Sequence, residues 1–341
     1  PLNNSLVNNP TTTSVMVEPG NSEIEKGSNV VFTARFSGPI PADAILEYST
    51  EARTEKLSQP LRRNLKDPIF GGVLLGVESP ITYRVAYSDG VSEEFRLKIF
   101  EFPKVIRSDA KISSPAYAPA PDKIIDDTRR VTVAEGSQLT WKLHLNKPVS
   151  TVEIIDNAGS KHQLTPEADS PTLYSVTLTL KESATWKVHL VDTEGRKNKI
   201  PEELIAKVLP NKPPTIKLAK ASDRRVSPLE EMDIGAKLND DFGISKVGLA
   251  YSINGDEPTE VLLSDSEPVT KKLDTSHLLA LEQLKAKPDQ LISYYVWAED
   301  KDADGNLRRV ESDLFFAEVR PFEEIYREGD SPSESQQQQQ Q

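Results

Sequence analysis

Leu291–Arg320 reads LISYYVWAEDKDADGNLRRVESDLFFAEVR. Tyr294, Val296 and Ala298 alternate with Tyr295, Trp297 and Glu299, and Leu314, Phe316 and Val319 repeat the alternation with one slip. Aromatic and β-branched side chains at a period of two suit a half-buried strand. The DKDADGN run between them is turn-forming by composition. The stretch is therefore strand, acidic turn, strand. Weaker versions of its first half occur twice earlier, as ITYRVAYSDG (residues 81–90) and ATWKVHLVDTEG (residues 184–195). Read as a closing hairpin, it predicts an all-β chain in which one sandwich unit is repeated three times.

The same hairpin carries a second pattern. Asp300, Asp302, Asp304, Gly305 and Glu311 fit the twelve-residue calcium loop D-x-[DN]-x-[DN]-G-x5-E at every position. Such a loop needs a helix on each side, and both flanks here read as strands. Arg308 also stands where a ligand should act through water. Two readings remain: a solvated acidic turn, and a calcium site of another kind built from the same aspartates.

A gapless internal match supports the repeat. EKGSNVVFTARFSGPI (residues 25–40) aligns with AEGSQLTWKLHLNKPV (residues 134–149), placing Val30, Phe32, Ala34 and Phe36 on Leu139, Trp141, Leu143 and Leu145. The offset, 109 residues, suits one sandwich domain per repeat. The proline-rich run SSPAYAPAPDK (residues 113–123) reads as an extended connector, and LPNKPP (residues 209–214) as a boundary. The expected organisation is a linker over 1–13, domains over 14–103, 104–210 and 211–322 in an elongated arrangement, and a charged, glutamine-rich tail over 323–341. That tail is expected to be disordered or to begin a helical region. TSHLLALEQLKAK (residues 275–287) is the helix candidate of the third unit. Leu278, Leu281 and Leu284 share a helical face, Ser276 caps it and Pro288 stops it.

Composition narrows function. The 341 residues hold 53 acidic and 41 basic side chains, a net charge of −12, which argues against a nucleic-acid partner. The absence of cysteine removes disulfides, thiolate nucleophiles and thiolate metal sites together. No apolar run is long enough to span a bilayer as a helix. The sequence has no G-x-S-x-G, no H-E-x-x-H and no P-loop, so a non-enzymatic protein is expected.

Three copies of strand, turn, strand, with Tyr83, Trp186 and Tyr294 opening the penultimate strand, resemble tandem immunoglobulin-like or fibronectin-type domains of the disulfide-free kind. The segments SSPAYAPAPDK, NKPV, NDDFGISKVGLAYSING, SYYVWAEDKDADGN and EVRPFEEIYREG, in that order, are similar to large uncharacterised bacterial envelope proteins that carry a domain of unknown function. The resemblance implies a membrane-anchored parent protein, sandwiches outside the cytoplasm and a long helical C-terminal region. It implies no activity.

In an immunoglobulin-like sandwich the turn after the second strand and the turn before the last lie at one end. In the third unit these hold Asn239, Asp240 and Asp241, and Asp300, Asp302 and Asp304. The five carboxylates, Asp240, Asp241, Asp300, Asp302 and Asp304, are the candidate metal ligands and calcium the candidate cofactor, at a pole expected to face the 209–214 boundary. The corresponding turns of the first unit (Ser37-Gly38, Asp89) and the second (Asn146-Lys147, Asp192) are less acidic. His144 and His189 alternate with buried-type residues and are expected at the surface. Trp297 is expected on the outer face, a thin platform for a sugar. The preferred reading is a spacer or scaffold module with a protein partner or a second copy of itself. The alternative is a ligand-binding or adhesion module, for carbohydrate or for a calcium-dependent contact.

Overall fold

The computed structural model describes residues 13–51, 53–63, 67–88 and 90–321. All of the expected linker over 1–13 except Thr13, the tail over 323–341 and Asp89 lie outside them. The described chain is all-β, and it divides into two compact units. One gathers the residues up to Lys104 with Asp192–Lys199, and the other holds Val105–Val191 and the residues from Ile200 onward.

The first unit contains β1 (Ser14–Glu18), β2 (Ser22–Glu25), β3 (Ser28–Ser37), β4 (Ala44–Thr50), β5 (Arg53–Arg63), β6 (Ile69–Val77), β7 (Ile81–Tyr87), β8 (Gly90–Val91) and β9 (Phe95–Phe100). Their order is β1-β3-β6-β5-β4-β7-β9-β2, with β8 on β7. β5 pairs with β4 over most of its length and with β6 at Arg62 and Arg63, so one strand bridges the two layers. Between the layers, Val30, Phe32, Ala34 and Phe36 of β3 meet Ile81, Tyr83 and Val85 of β7. Phe32 and Tyr83 pack edge to face at 4.7 Å. Burial pushes the Tyr83 phenol up to about 12, and its hydroxyl donates to Gly20 O at 2.8 Å.

The second unit begins with β10 (Val105–Ser113), β11 (Lys123–Ile125), β12 (Arg130–Ala134), β13 (Ser137–Leu145), β14 (Thr151–Asp156), β15 (Lys161–Gln163), β16 (Thr165–Glu167), β17 (Ser170–Leu180), β18 (Ala184–Val191) and β19 (Glu203–Leu209). They form two facing sheets, β11-β10-β13-β17-β16 and β12-β19-β18-β14-β15. Trp141 and Trp186, one from each sheet, share the buried cluster between them.

It continues with β20 (Thr215–Leu218), β21 (Arg224–Val226), β22 (Glu231–Ile253), β23 (Thr259–Ala280), β24 (Leu291–Lys301), β25 (Leu307–Glu311) and β26 (Phe315–Val319). β22 runs through both layers. Its first part pairs with β20 and the end of β23, and its second part with β24 and the start of β23. The change of layer falls at a break in register between Asn239 and Ile244. A separate buried cluster, with Tyr294, Val296 and Met232, fills this sandwich.

In each sandwich a short early strand runs parallel to the last one: β2 with β9, β12 with β19 and β21 with β26. Among the described residues every other pairing is antiparallel. With the order first-second-fifth in one layer and last-penultimate-third in the other, this is immunoglobulin topology.

The helix expected over 275–287 is not formed. Thr275–Ala280 are the end of β23, paired with Glu231–Ala236, and only one tight turn follows at 281–285. Leu278 is 59% exposed while Leu279 and Leu281 are buried. Burial at a period of two, with Leu273 and Leu279 packed on the core, overrode the helical leucine spacing. Leu281 N donates to Glu230 O, and Lys285 takes a positive φ of 54° that closes the turn.

Candidate functional site

The acidic pole meets the 209–214 segment, and an arginine organises the contact. β24 and β25 form the hairpin that carries both partners, with Asp300 opposite Arg308 in register. The Asp300 side chain is 1% exposed. It accepts from Arg308 Nε at 3.0 Å and again, through its other oxygen, from Nη2. Arg308 also donates Nη1 to Asn211 O at 3.3 Å and Nη2 to Asn211 Oδ1 at 3.0 Å. Asn211 is itself buried, donating Nδ2 to Lys301 O at 2.8 Å and its backbone N to Glu135 Oε2 at 3.0 Å. Charge-assisted, two-pronged bonds of this type are directional as well as strong. The Asp300 carboxylate beside it raises the Arg308 guanidinium above its ordinary value.

Aromatic packing flanks the network. Tyr117, from the proline-rich segment after β10, packs edge to face on Phe242 at 5.1 Å and donates its hydroxyl to Glu135 O at 2.7 Å. Burial, with the Glu135 and Asp241 charges nearby, pushes its phenol up to about 12. Gly136 sits at φ +79° where an added Cβ would come within 3.1 Å of Ala303 O. A side chain there would push the hairpin tip away.

The other predicted carboxylates divide into three roles. Asp302 closes its own loop, Oδ1 accepting from Asp304 N at 3.0 Å and Asn306 N at 2.8 Å. These bonds, led by Asn306, hold its pKa below the ordinary value. Asp304 is an exposed tip residue, 3.3 Å from Lys181 Nζ. Asp240 and Asp241 line the bend in β22. Asp240 Oδ2 accepts from Phe242 N and Gly243 N, and Asp241 Oδ2 from Lys212 N at 3.1 Å. The Oδ1 atoms of both are buried without a partner. Burial is the main reason the Asp240 carboxyl is raised, with Asp241 and Asp300 adding repulsion. Among the described residues no three Asp, Glu, His or Cys side chains are grouped as metal ligands would be.

Sequence reasoning missed Asn211 and Tyr117, which read only as linker. It weighed Arg308 only as a poor calcium ligand. It also missed Asp109, which is 6% exposed and accepts from Arg107 Nε and Nη2, Asp127 N and His144 Nε2, all within 2.9 Å. Arg107 leads in holding its carboxyl well below the usual range. The spacing of Arg107 and Asp109, on one face of a strand, was the available signal. His144 and His189 are both partly exposed on their strands. Trp297 lies outside the main buried cluster but is only 5% exposed, against Gly248 and beneath the Arg309 guanidinium at 4.0 Å. It therefore presents no open platform for a sugar.

Strand order and parallel closing pairs define an immunoglobulin-type β-sandwich protein. The chain belongs to the family described as "Domain of unknown function (DUF4175)", which matches residues 74–279. No curated protein matches it. Among solved structures it is similar to an ICAM-5 D1–D4 ectodomain fragment, at 12% identity and TM-score 0.33 over 90% of this chain and 77% of that one. It is also similar to the chicken CNTN1 FN1–FN3 domains, at 12% identity and TM-score 0.25 over 90% and 97%. A marsupial T cell receptor is 14% identical at TM-score 0.23, over 57% and 100%. These scores are too low to bear on function, and the fold rests on the strand order itself. Among the described residues no helix is long and apolar enough to cross a membrane, which says nothing of β-barrels.

Proposed function

We propose that residues 14–103, 104–210 and 211–322 are tandem immunoglobulin-like domains of a non-catalytic scaffold, in which the second and third act as one stiff element presenting surfaces to a protein partner. The observation that carries this is the Asp300–Arg308–Asn211 network, because it ties the closing hairpin of one sandwich to the segment entering it. Asn211 in turn binds Glu135 of the preceding sandwich. Placement outside the cytoplasm, in a bacterial envelope protein, rests on the family resemblance of the sequence.

The cysteine-free chain allows a direct test. Spin labels at Ile124→Cys and Leu278→Cys, both exposed, report the distance between the two sandwiches. A single narrow distribution that broadens on Arg308→Ala is expected. A broad distribution in the unaltered background would sink the proposal.

A second reading, a calcium-dependent contact, draws on the unpartnered Oδ1 atoms of Asp240 and Asp241. It requires the melting temperature of the full chain to rise with millimolar calcium and the rise to vanish with Asp241→Asn. An identical melt in chelator would remove it.

A further inference from the structure

Among the described residues β23, 22 residues long, is the longest edge strand. It has β22 on one side and no described strand on the other. Two amides fix which of its residues face the open side: Leu281 N donates to Glu230 O, and Ala219 N to Gly235 O. Bonding alternates along an antiparallel pair. Leu273, Thr275, His277 and Leu279 therefore turn their backbone groups to β22, opposite Leu238, Ala236, Ile234 and Met232. Those of Lys272, Asp274, Ser276 and Leu278 point to the open side, and the side chains of these four residues are exposed.

Such an edge is a template for another strand, and proteins blunt it with charge, above all with lysine. Here the lysine is answered two residues on. Asp274 is 75% exposed and meets Lys237 of β22 at 3.8 Å, while Lys272 stands opposite the uncharged Asn239. In a two-fold contact residue i meets residue j and j meets i. Two copies of this edge centred on Lys272, or on Asp274, would set like charges face to face. Centred on Thr275, they would set both charges against uncharged residues. Centred on Leu273, they set Lys272 against Asp274 twice, with Thr270 against Ser276. Opposite charges across a strand pair stabilise it and like charges weaken it, so the sequence singles out the last register. The whole chain carries −12, and two copies repel over most of their surface. The stretch with Lys271, Lys272 and Asp274 is one where they do not.

We propose that Thr270–Ser276 is a self-association edge, where a second copy of this chain pairs antiparallel about Leu273 and joins the two β20-β22-β23 layers into one continuous sheet. The proposal rests on the scaffold reading for the expectation of a protein partner, and it names that partner and its surface. The two fail separately. A monomeric chain whose spin-label distance stays narrow ends this proposal alone, and a broad distance in a chain that still pairs ends the other alone.

The test is sedimentation equilibrium of the full chain from about 10 µM to 1 mM, since a short strand contact is weak. The average mass should rise toward that of a dimer. Lys272→Asp and Asp274→Lys, both at exposed positions, each oppose like charges twice and should weaken association by about tenfold or more. Mixed in equal amounts, the two variants should associate again, because one copy then offers two carboxylates to the other's two amines. That recovery also shows that both are folded. Ser276→Pro removes an amide that β22 does not use and should abolish pairing. A constant monomer mass, single variants that associate as the unaltered chain does, a mixture that stays monomeric, or association that survives Ser276→Pro each overturns the proposal.

Discussion

Asp192 and Asp300 stand six residues after the core aromatics Trp186 and Tyr294, and both are 1% exposed, yet different partners satisfy them. Asp192 is the first residue of its turn. Its Oδ1 accepts from Glu194 N at 3.0 Å and Arg196 N at 2.8 Å, and Gly195 N returns to its carbonyl at 3.1 Å. Asp156 closes its loop in the same way, through Ser160 N and Gly159 N. In the third sandwich the hairpin is longer, and that turn chemistry passes to Asp302. Asp300 is left inside the strand pair, where no loop amide reaches it, and Arg308 across the ladder takes the carboxylate instead. Extending one hairpin thus converts a local turn residue into the anchor of a long-range contact with Asn211.

The largest effect should come from the Asp300 pair: Asp192 also faces an arginine, Arg196 at 3.6 Å, but it keeps its loop amides, whereas Asp300 is held by the two prongs of Arg308. Arg308→Ala strands a buried carboxylate, for which the typical cost is about 3–5 kcal/mol. Urea unfolding of the full chain, followed through the aromatic signal of its third sandwich, should show it. The paired change Asp300→Leu with Arg308→Leu should recover most of the loss, since it removes the uncompensated charge. A cost near zero for Arg308→Ala would mean that the two aspartates are equivalent after all. Asp192→Ala should cost less, about 1–3 kcal/mol, because two loop amides lose an acceptor while Arg196 keeps a carboxylate partner in Glu194 at 3.1 Å.

How much of this was legible in the sequence depends on the range of the interaction. Alternation in Val30–Phe36, Leu139–Leu145 and Tyr294–Ala298 reports burial on one face of a strand, so the sandwiches could be read directly. Leu278, Leu281 and Leu284 misled because spacing alone does not show that Glu231–Ala236 waits to pair with that segment. Trp297 was placed on the correct side of its strand. Its cover, however, comes from Arg309 on a neighbouring strand and from the missing side chain of Gly248. The acidic residues were visible as a cluster. Their roles were not, because Asp302 differs from Asp300 only through which amide or guanidinium the hairpin register brings near.

Asp302 gives a smaller and pH-dependent effect. Its carboxyl is depressed in the folded chain, so its contribution is fully present above the unfolded carboxylate value, near 3.8, and is lost as pH falls through the lower folded value. Asp302→Ala should lower the melting temperature at neutral pH, by less than Asp192→Ala does. Its melting curve should converge with that of the unaltered chain in strong acid. A difference that persists there would assign the effect to packing and not to the charged acceptor.

Asp240 should move the other way. Burial and the charges of Asp241 and Asp300 raise its carboxyl, so the folded chain holds this proton more tightly than the unfolded chain does. Ionising it therefore destabilises the fold: stability falls as pH rises from the ordinary carboxylate value through the folded one, and stays lower above it. Asp240→Asn keeps an oxygen able to accept from Phe242 N and Gly243 N while removing the charge. The variant should melt slightly higher than the unaltered chain at pH 7, with the advantage shrinking as pH drops toward 4. A lower melting temperature at pH 7 would show that Asp240 is wanted ionised, which would favour a bound cation over turn chemistry at the bend.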